Sequence, residues 1–219
     1  MIILALDTAG VDCAAALYDS GRKAMLGEAS DMIGKGHAEH LMGIIDRVLD
    51  QAGVALSAVD RIAVTVGPGS FTGIRVGVAA ARGFALSLGV PAVGITTLAV
   101  MAEAQRLKTP GRAALAAMDA KRNEIYLQAF DAEGNALDEA RALSIEEALE
   151  FAAGFDGEIT GSATPLLKPD ASGDHANHFP ISIVARLGAA ADPSSGKPKP
   201  LYLRGPDAKP QAGFAIERV

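Results

Sequence analysis

The sequence predicts an α/β fold composed of two related halves, and three features support this prediction. The chain opens with three strand-like segments in succession, which indicates a meander. Strand-like and helical segments then alternate from Arg61 to Arg106, as they do in α/β sheets. A strand that ends in aspartate, followed by a turn and a further strand, occurs at Asp7 and again at Asp119, so the second half begins like the first.

The N-terminal subdomain, residues 1–106, holds the opening meander, a glycine-rich turn and the two longest predicted helices. Its strands are predicted from short apolar runs at Ile2–Leu6, Cys13–Tyr18, Arg22–Glu28, Arg61–Val66 and Pro91–Ile95. Its helices are predicted at His37–Ala52, Ile74–Leu88 and Thr97–Arg106. Gly53 and Gly89 follow the first two helices and are typical of helix ends.

The C-terminal subdomain, residues 107–219, repeats the strand–turn–strand opening and ends in a proline-rich tail. Strands are predicted at Ala113–Met118, Ile125–Asp131 and Ile159–Gly161, and helices at Ser144–Ala153 and Ile181–Ala191. Ser144 and Glu147 have the spacing of a capping box. From Asp192 onward, proline, serine, glycine and lysine predict an extended tail that wraps over the body.

Composition limits the function classes. Hydrophobic residues make up 49% of the 219 residues, so a packed core is expected. The net charge of −6 and the lack of a dense basic run argue against a main nucleic-acid-binding surface. The single cysteine, Cys13, fits a reducing compartment. The N-terminus lacks the basic region of a signal peptide and no membrane span is expected, so we expect a cytoplasmic protein.

A glycine-rich turn follows a predicted strand and precedes a predicted helix. Its residues of interest are Gly67, Gly69, Ser70, Thr72 and Gly73. Free N–H groups at a helix N-terminus could bind a phosphate. A phosphate-binding P-loop, however, has Lys and Ser or Thr after its last glycine, whereas Ile74 and Arg75 follow Gly73. We therefore interpret the segment as a structural turn that lets helix and strand pack closely.

Two other catalytic patterns fail on spacing. Ser70 could be a nucleophile at a sharp turn, with Asp170, His175 and His178 later in the chain, but the Gly-x-Ser-x-Gly pattern is absent. His37 and His40 are three residues apart, whereas the zinc protease motif places its two histidines four apart. No catalytic residue, metal site or cofactor is predicted.

Asp7 and Asp119 lie at the C-terminal ends of equivalent strands, where α/β sheets bind their ligands. In a nucleotide enzyme, these carboxylates could hold a metal ion through its waters. The turn Thr8-Ala9-Gly10 is partly suited to phosphate, whereas Lys121-Arg122-Asn123 is too bulky. Each aspartate capping its own turn is an equally good interpretation.

The helix Ile74–Leu88 is apolar on nearly every side, which requires cover on two sides. One side faces its own sheet, and we predict that a partner protein covers the other, together with the helix His37–Ala52. Small residues would let a partner helix approach, and Arg75 and Arg82 would rim the contact. The predicted interface comprises His37, Leu41, Ile44, Ile45, Val48, Ile74, Arg75, Val76, Ala79, Ala80, Arg82 and Gly83.

Four segments, in order along almost the whole chain, resemble the TsaB family. The most specific is Val66-Gly67-Pro68-Gly69-Ser70-Phe71-Thr72-Gly73-Ile74-Arg75-Val76-Gly77. The others are Leu4-Ala5-Leu6-Asp7-Thr8-Ala9, Met118-Asp119-Ala120-Lys121-Arg122-Asn123-Glu124-Ile125-Tyr126 and Pro200-Leu201-Tyr202-Leu203-Arg204-Gly205-Pro206-Asp207-Ala208-Lys209-Pro210. The resemblance implies the actin–sugar kinase–heat-shock ATPase fold, with two related subdomains built on strand meanders.

The resemblance also implies a function in making threonylcarbamoyladenosine at position 37 of tRNAs that read ANN codons. It implies a heterodimer with TsaD, an ATPase partner TsaE, self-association through the same helices, and contact with tRNA only through the complex. At the positions where TsaD holds its metal with two histidines, this chain has Thr97 and Met101. We therefore expect a non-catalytic scaffold subunit. The alternative is a small ATP-binding enzyme of the same fold that uses Asp7 and Asp119 around a metal.

Overall fold

The fold is known from a computed structural model that describes residues 1–170 and 177–204 of the chain. The strands are β1 (Ile2–Asp7), β2 (Asp12–Asp19), β3 (Ala24–Met32), β4 (Arg61–Gly67), β5 (Ala92–Thr96), β6 (Ala114–Lys121), β7 (Glu124–Phe130), β8 (Arg141–Ser144) and β9 (Glu158–Thr160). The helices are α1 (His37–Ala52), α2 (Phe71–Leu88), α3 (Thr97–Lys108), α4 (Ile145–Ala153), α5 (Thr164–Leu167) and α6 (Ile181–Ala190).

The strands form two sheets with the same opening topology. The first sheet has the order β3-β2-β1-β4-β5, with an antiparallel meander of β1, β2 and β3 and with β4 parallel to β1. The second sheet has the order β8-β7-β6-β9, with an antiparallel meander of β6, β7 and β8 and with β9 parallel to β6. The predicted fold class, two related α/β subdomains of the actin–sugar kinase–heat-shock ATPase type, is confirmed.

Most element boundaries agree with the sequence to within a few residues, and the differences have local causes. The third strand begins at Ala24 rather than Arg22, because the Asp19 carboxylate accepts the backbone N–H groups of Gly21 and Arg22 and holds them in a turn. The short elements β8 and α5 were not predicted, since four residues carry too little periodicity. The capping box of Ser144 and Glu147 is confirmed.

Helices cover both faces of the first sheet. A Cβ at Gly77 of α2 would lie 3.3 Å from a methyl carbon of Val64, and one at Gly188 of α6 would lie 2.2 Å from the Cβ of Ala63. Val64 and Ala63 are neighbours in β4 and point to opposite faces, so α2 and α6 lie on opposite sides of the sheet. The helix α6, which comes late in the chain, therefore packs on the sheet of the N-terminal half.

Arg61 fixes the C-terminal end of α6 to this sheet. Its guanidinium donates hydrogen bonds of 2.9, 3.1 and 2.8 Å to the carbonyl oxygens of Gly188, Ala189 and Ala191. These are among the carbonyl groups that a helix end leaves without partners, and a cation there also interacts favourably with the helix dipole.

Within the described residues, α2 is also the one helix long and apolar enough to cross a membrane. Its 18 residues have a mean hydropathy of 1.2. The core helix of a soluble protein can meet the same criterion, and Ile74 and Val78 of α2 are buried in this fold. The helix therefore has a packed position on the sheet without a bilayer.

Candidate functional site

The glycine turn joins β4 to α2 and contacts the turn that follows β1. The Ser70 hydroxyl oxygen caps α2 by accepting the N–H of Gly73 at 3.2 Å, and the Ser70 N–H donates to the Ala9 carbonyl oxygen at 2.7 Å. The Thr8 hydroxyl donates to the Gly73 carbonyl oxygen at 2.7 Å. The peptide bond between Gly67 and Pro68 is cis, and the Pro68 carbonyl accepts the Thr97 hydroxyl at 2.5 Å.

Two of the glycines in this turn are required by close backbone contacts. A Cβ at Gly69 would lie 2.3 Å from the Ala9 carbonyl oxygen, and one at Gly73 would lie 1.9 Å from the Thr8 carbonyl oxygen. Gly67 has φ of +100°, a conformation that favours glycine. Thr72 is exposed. A phosphate at the start of α2 would need free space beside its first N–H groups. The chain's own Thr8–Ala9 turn packs against this end of the helix.

Asp7 lies in the core rather than in a ligand cleft. Its side chain is fully buried, and its Oδ1 accepts the Thr65 hydroxyl at 2.5 Å and the Ala9 N–H at 3.0 Å. Its Oδ2 has no hydrogen-bond partner among the described residues. Desolvation by burial raises the pKa of Asp7 to about 6, although the hydrogen bond from Thr65 acts in the opposite direction.

The turn after Asp7 is covered as well. A Cβ at Gly10 would lie 2.4 Å from the Asn177 carbonyl oxygen and 3.0 Å from the Phe179 ring. The segment around residues 177–179 therefore occupies the space beside this turn. In this arrangement, the Asp7 carboxylate lies in the protein interior rather than in an open cleft.

Asp119, the equivalent residue of the second half, is bonded to its own turn. Its carboxylate accepts the Lys121 backbone N–H at 2.8 Å and lies 2.6 Å from the Lys121 ammonium nitrogen. Partial burial raises the pKa of Asp119. The hydrogen bonds and the charge of Lys121 together lower this pKa by more than burial raises it, so the net shift is downward. The geometry matches an aspartate that caps its own turn. The nucleotide site of the alternative hypothesis stays a prediction, for which the burial of Asp7 and the bonding of Asp119 to its own turn give no support.

The residues present do not fit the metal site of TsaD. Thr97 is buried and donates to the Pro68 carbonyl, and Met101 is buried with its methyl group beside Gly161. Neither side chain is a suitable ligand for a catalytic metal ion. Within residues 1–170 and 177–204, no group of three His, Cys, Asp or Glu side chains could hold a metal ion.

The histidines do not form a catalytic pair with Ser70. His178 lies 2.5 Å from the Asp12 carboxylate, and the Ser70 hydroxyl is used as a helix cap. His37 is buried with its Nε2 3.2 Å from the Asp12 carbonyl oxygen, whereas His40 is exposed. His175 lies outside the described residues.

The predicted interface residues of α1 need correction. His37, Leu41, Ile44, Ile45 and Val48 are all buried against the sheet and present almost no surface to a partner. The same applies to Ile74 at the start of α2. The apolar stripe that identified α1 as a helix is thus the face that packs into this chain's own core.

The remaining predicted residues lie on α2 and form a real surface. Arg75, Ala79, Arg82 and Gly83 are exposed, and Val76 and Ala80 are half-buried beside them. Phe71 is 55% exposed and Leu86 is 84% exposed, and both were missed although their helical spacing places them on the same stripe. We call this surface the α2 outer face, consisting of Phe71, Arg75, Ala79, Arg82, Gly83 and Leu86.

The exposed side of α1 continues this surface, because α1 packs beside α2 on the same face of the sheet. Met42 is 46% exposed there, and a Cβ at Gly43 would meet nothing within 4 Å. The same holds for Gly83 on α2. These two open glycines contrast with Gly69 and Gly73, where the space of a Cβ is already filled.

The fold and these sites define a class of protein: a two-subdomain chain of the actin-like fold type in which one strand-end aspartate is buried and the other is bonded to its own turn. The family model described as TsaD, tRNA N6-adenosine threonylcarbamoyltransferase, matches residues 31–158. The chain therefore belongs to that family, and within it to the TsaB proteins.

Individual relatives support this assignment. The tRNA threonylcarbamoyladenosine biosynthesis protein TsaB of Escherichia coli is 32% identical over 63% of this chain and 58% of its own length. The TsaB of Haemophilus influenzae is 36% identical over 58% of this chain and 52% of its own length. The matches thus span little more than half of these two relatives. An uncharacterized protein of Mycobacterium tuberculosis is 32% identical over 96% of this chain and 95% of its own.

Solved structures give the same relationship over nearly the full fold. YeaZ from Pseudomonas aeruginosa superimposes with a TM-score of 0.76 and 27% sequence identity, covering 92% of this chain and 99% of that one. A second structure from the same organism, described as an uncharacterized protein with similarity to peptidase YeaZ, has a TM-score of 0.76 and 29% identity.

Proposed function

We propose that this chain is a non-catalytic scaffold subunit that binds TsaD and is required for threonylcarbamoylation of adenosine 37 in tRNAs that read ANN codons. The observation that carries the proposal is the α2 outer face, an exposed helical stripe with small residues at its centre and large apolar or cationic residues around them. The pathway is that of the relatives named tRNA threonylcarbamoyladenosine biosynthesis protein TsaB.

The chemistry of the surface supports a helical partner. Ala79 and Gly83 leave little side chain between the α2 backbone and an incoming helix, and Gly43 on α1 does the same. Leu86 and Phe71 would lose their exposed apolar area on docking, which favours association. An exposed apolar face with two arginines is typical of protein interfaces, where aromatic residues and arginine are enriched.

The remaining partners follow from the same proposal. TsaE would join as the ATPase of the complex, and tRNA would be reached through TsaD, in keeping with the net charge of −6 on this chain. Without TsaD, two copies of the chain would associate through the same α2 outer face. The complex would operate in the cytoplasm.

The direct test is Leu86→Asp, which places a charge on the most exposed apolar side chain of the proposed contact. Because Leu86 is 84% exposed, the substitution should lower the melting temperature only slightly, through the unfavourable placement of a negative charge in the last turn of α2. In the complex, the substitution removes a leucine that docking would bury and buries an unpaired carboxylate in its place. Both effects should weaken TsaD binding, together by at least about tenfold. Affinity is measured by titration calorimetry, and tRNA modification is measured with TsaD, TsaE and either variant.

The matched control is Leu149→Asp on α4, where Leu149 is 40% exposed and lies in the other half of the molecule. This variant should bind TsaD and support modification like the unchanged chain. Equal TsaD affinity for Leu86→Asp and the unchanged chain would refute the proposed docking face. Full tRNA modification in the absence of this chain would refute the scaffold function itself.

A further inference from the structure

The last described part of the chain, residues 197–204, forms a strap across the first sheet. The Leu201 N–H donates to the Val66 carbonyl oxygen at 2.8 Å, next to the glycine turn. A Cβ at Gly94 of β5 would lie 3.5 Å from the Cβ of Pro198. The strap is thus fixed along β4 and β5 before it reaches α2.

At the start of α2, the strap brings Tyr202 beside Arg75 and Phe71, so that the guanidinium and the two rings form one cluster. The Arg75 Nε–H donates to the Tyr202 hydroxyl oxygen at 2.8 Å. The Arg75 guanidinium lies 3.8 Å above the centroid of the Phe71 ring, and the Phe71 and Tyr202 rings are 5.5 Å apart. Cation–π contacts of this kind stabilise one orientation of the guanidinium.

The strap is secured at its other end to the second half. Arg204 donates its Nε–H to the Glu124 carboxylate at 2.5 Å and donates to the carbonyl oxygens of Ala120 and Lys121, both at 3.2 Å. These acceptors belong to the β6–β7 hairpin. Tyr202 is therefore held from both sides, by Leu201 on the first sheet and by Arg204 on the second.

We propose that the strap prepares Arg75 to receive a carboxylate of the partner protein, with Tyr202 as the positioning residue. This inference rests on the proposed docking function of the α2 outer face. The Tyr202 hydroxyl oxygen accepts only the Nε–H of Arg75. Within the described residues, no hydrogen bond or ion pair occupies the two terminal nitrogens of Arg75. Those nitrogens are the fork that binds a carboxylate in two parallel hydrogen bonds.

The residue types and their exposure favour an acidic protein partner. Phe71 and Tyr202 are 55% and 49% exposed, so the cluster that they form with Arg75 is open to a docking surface. Tyrosine and arginine are enriched among the residues that dominate binding energy at interfaces. An arginine that is already fixed loses less side-chain entropy on binding than a freely moving one.

The test is Tyr202→Phe, which keeps the ring but removes the oxygen that accepts from Arg75. We expect TsaD affinity to fall by about three- to tenfold through loss of this ordering, with an unchanged melting temperature. In an Arg75→Ala background, Tyr202→Phe should have no further effect, because Tyr202 acts through Arg75. Tyr126→Phe is the control, since its ring lies 5.8 Å from the Arg204 guanidinium, away from α2.

The outcomes separate this inference from the proposal on which it rests. Wild-type affinity for Tyr202→Phe, or an equal loss in both backgrounds, would overturn the positioning role while Leu86→Asp still reports on docking. If Arg75→Ala and Leu86→Asp both bind TsaD normally, the docking face itself is wrong. Replacement of the partner's acidic residues on the contacting helix should reproduce the loss seen with Arg75→Ala.

Discussion

Asp7 is the residue whose environment departs furthest from what its position at a strand end indicates. A strand-end carboxylate in an α/β protein often faces a ligand, but this one is buried and has one oxygen without a partner among the described residues. Burial, opposed in part by Thr65, raises its pKa to about 6 from an ordinary value of 3.8. The folded state therefore binds a proton at Asp7 more tightly than the unfolded state does.

The pH dependence of stability follows from this difference. The contribution of Asp7 is fully present below about pH 4 and is lost as pH rises through about 6, because the unfolded chain then releases its proton at a lower cost. Between pH 4.5 and 7, the loss should be about 2 kcal/mol of unfolding free energy. Asp7→Asn should remove this dependence, since the amide resembles the protonated carboxyl in shape and charge.

The measurement is urea unfolding of the unchanged protein and of the Asp7→Asn variant, each at pH 4.5 and pH 7. Carboxylates with lowered pKa values, such as those of Asp19 and Asp131, act in the opposite direction, but they are present in both chains and cancel in the difference. A constant difference in unfolding free energy between the two chains across this range would contradict the assignment.

Cys13 is a second residue whose burial changes its pKa. Its side chain is buried in the core. Burial, together with the charges of Asp7 and Asp31, raises the pKa of the Cys13 thiol to about 12. A thiol with such a pKa is almost wholly protonated near neutral pH and is a poor nucleophile. Its position in β2 is that of a small core residue.

Among the elements, the β4–turn–α2 unit sets the position of α2. Two glycines of α2 have opposite structural requirements. Near the N-terminus, Gly73 fits against the Thr8 carbonyl oxygen, whereas Gly83 near the middle of the outer face has open space around it. This contrast predicts opposite effects for the same substitution.

Gly73→Ala should destabilise the chain by about 1–3 kcal/mol, because its Cβ would lie 1.9 Å from the Thr8 oxygen and force the helix away from β1. Gly83→Ala should stabilise it by up to about 1 kcal/mol, as expected for alanine in a helix interior. Thermal and urea unfolding measure both. Equal effects of the two substitutions would contradict the close packing of the turn.

At the scale of the whole molecule, the two halves are held together by elements that leave one half and pack on the other. The helix α6 covers the first sheet and is fixed there by Arg61, and the strap connects α2 with the β6–β7 hairpin. The other side of this sheet carries α1 and α2, and the outward surface of these two helices is the one proposed for the partner.

Because self-association and TsaD binding are proposed to use the same α2 outer face, they should exclude each other. We expect the isolated chain to sediment as a concentration-dependent dimer and TsaD to convert it to a one-to-one complex. Leu86→Asp should sediment as a monomer at every concentration. A larger assembly containing two copies that touch each other through α2 in the presence of TsaD would contradict a shared face.

Local sequence patterns determined the positions of several helices and the division into two related halves. Apolar periodicity gave α1 with its observed bounds, glycines marked the ends of α1 and α2, and the Ser144–Glu147 spacing gave a capping box, since each depends on neighbouring residues. The repeated strand–turn–strand pattern gave the two related halves. The motif resemblance led to the same family as the comparisons.

The tertiary structure decided which surfaces are free. Periodicity shows that Leu41, Ile44 and Val48 share a face, but only the packed fold shows that the sheet covers it. The helix α2 is apolar on nearly every side, so its pattern could not tell which side remains exposed. Tyr202 and Arg75 are 127 positions apart, and a contact over that separation depends on the path of the whole chain. Burial of Asp7 is likewise a property of the assembled layers, because strand ends carry no sequence signal for what packs above them.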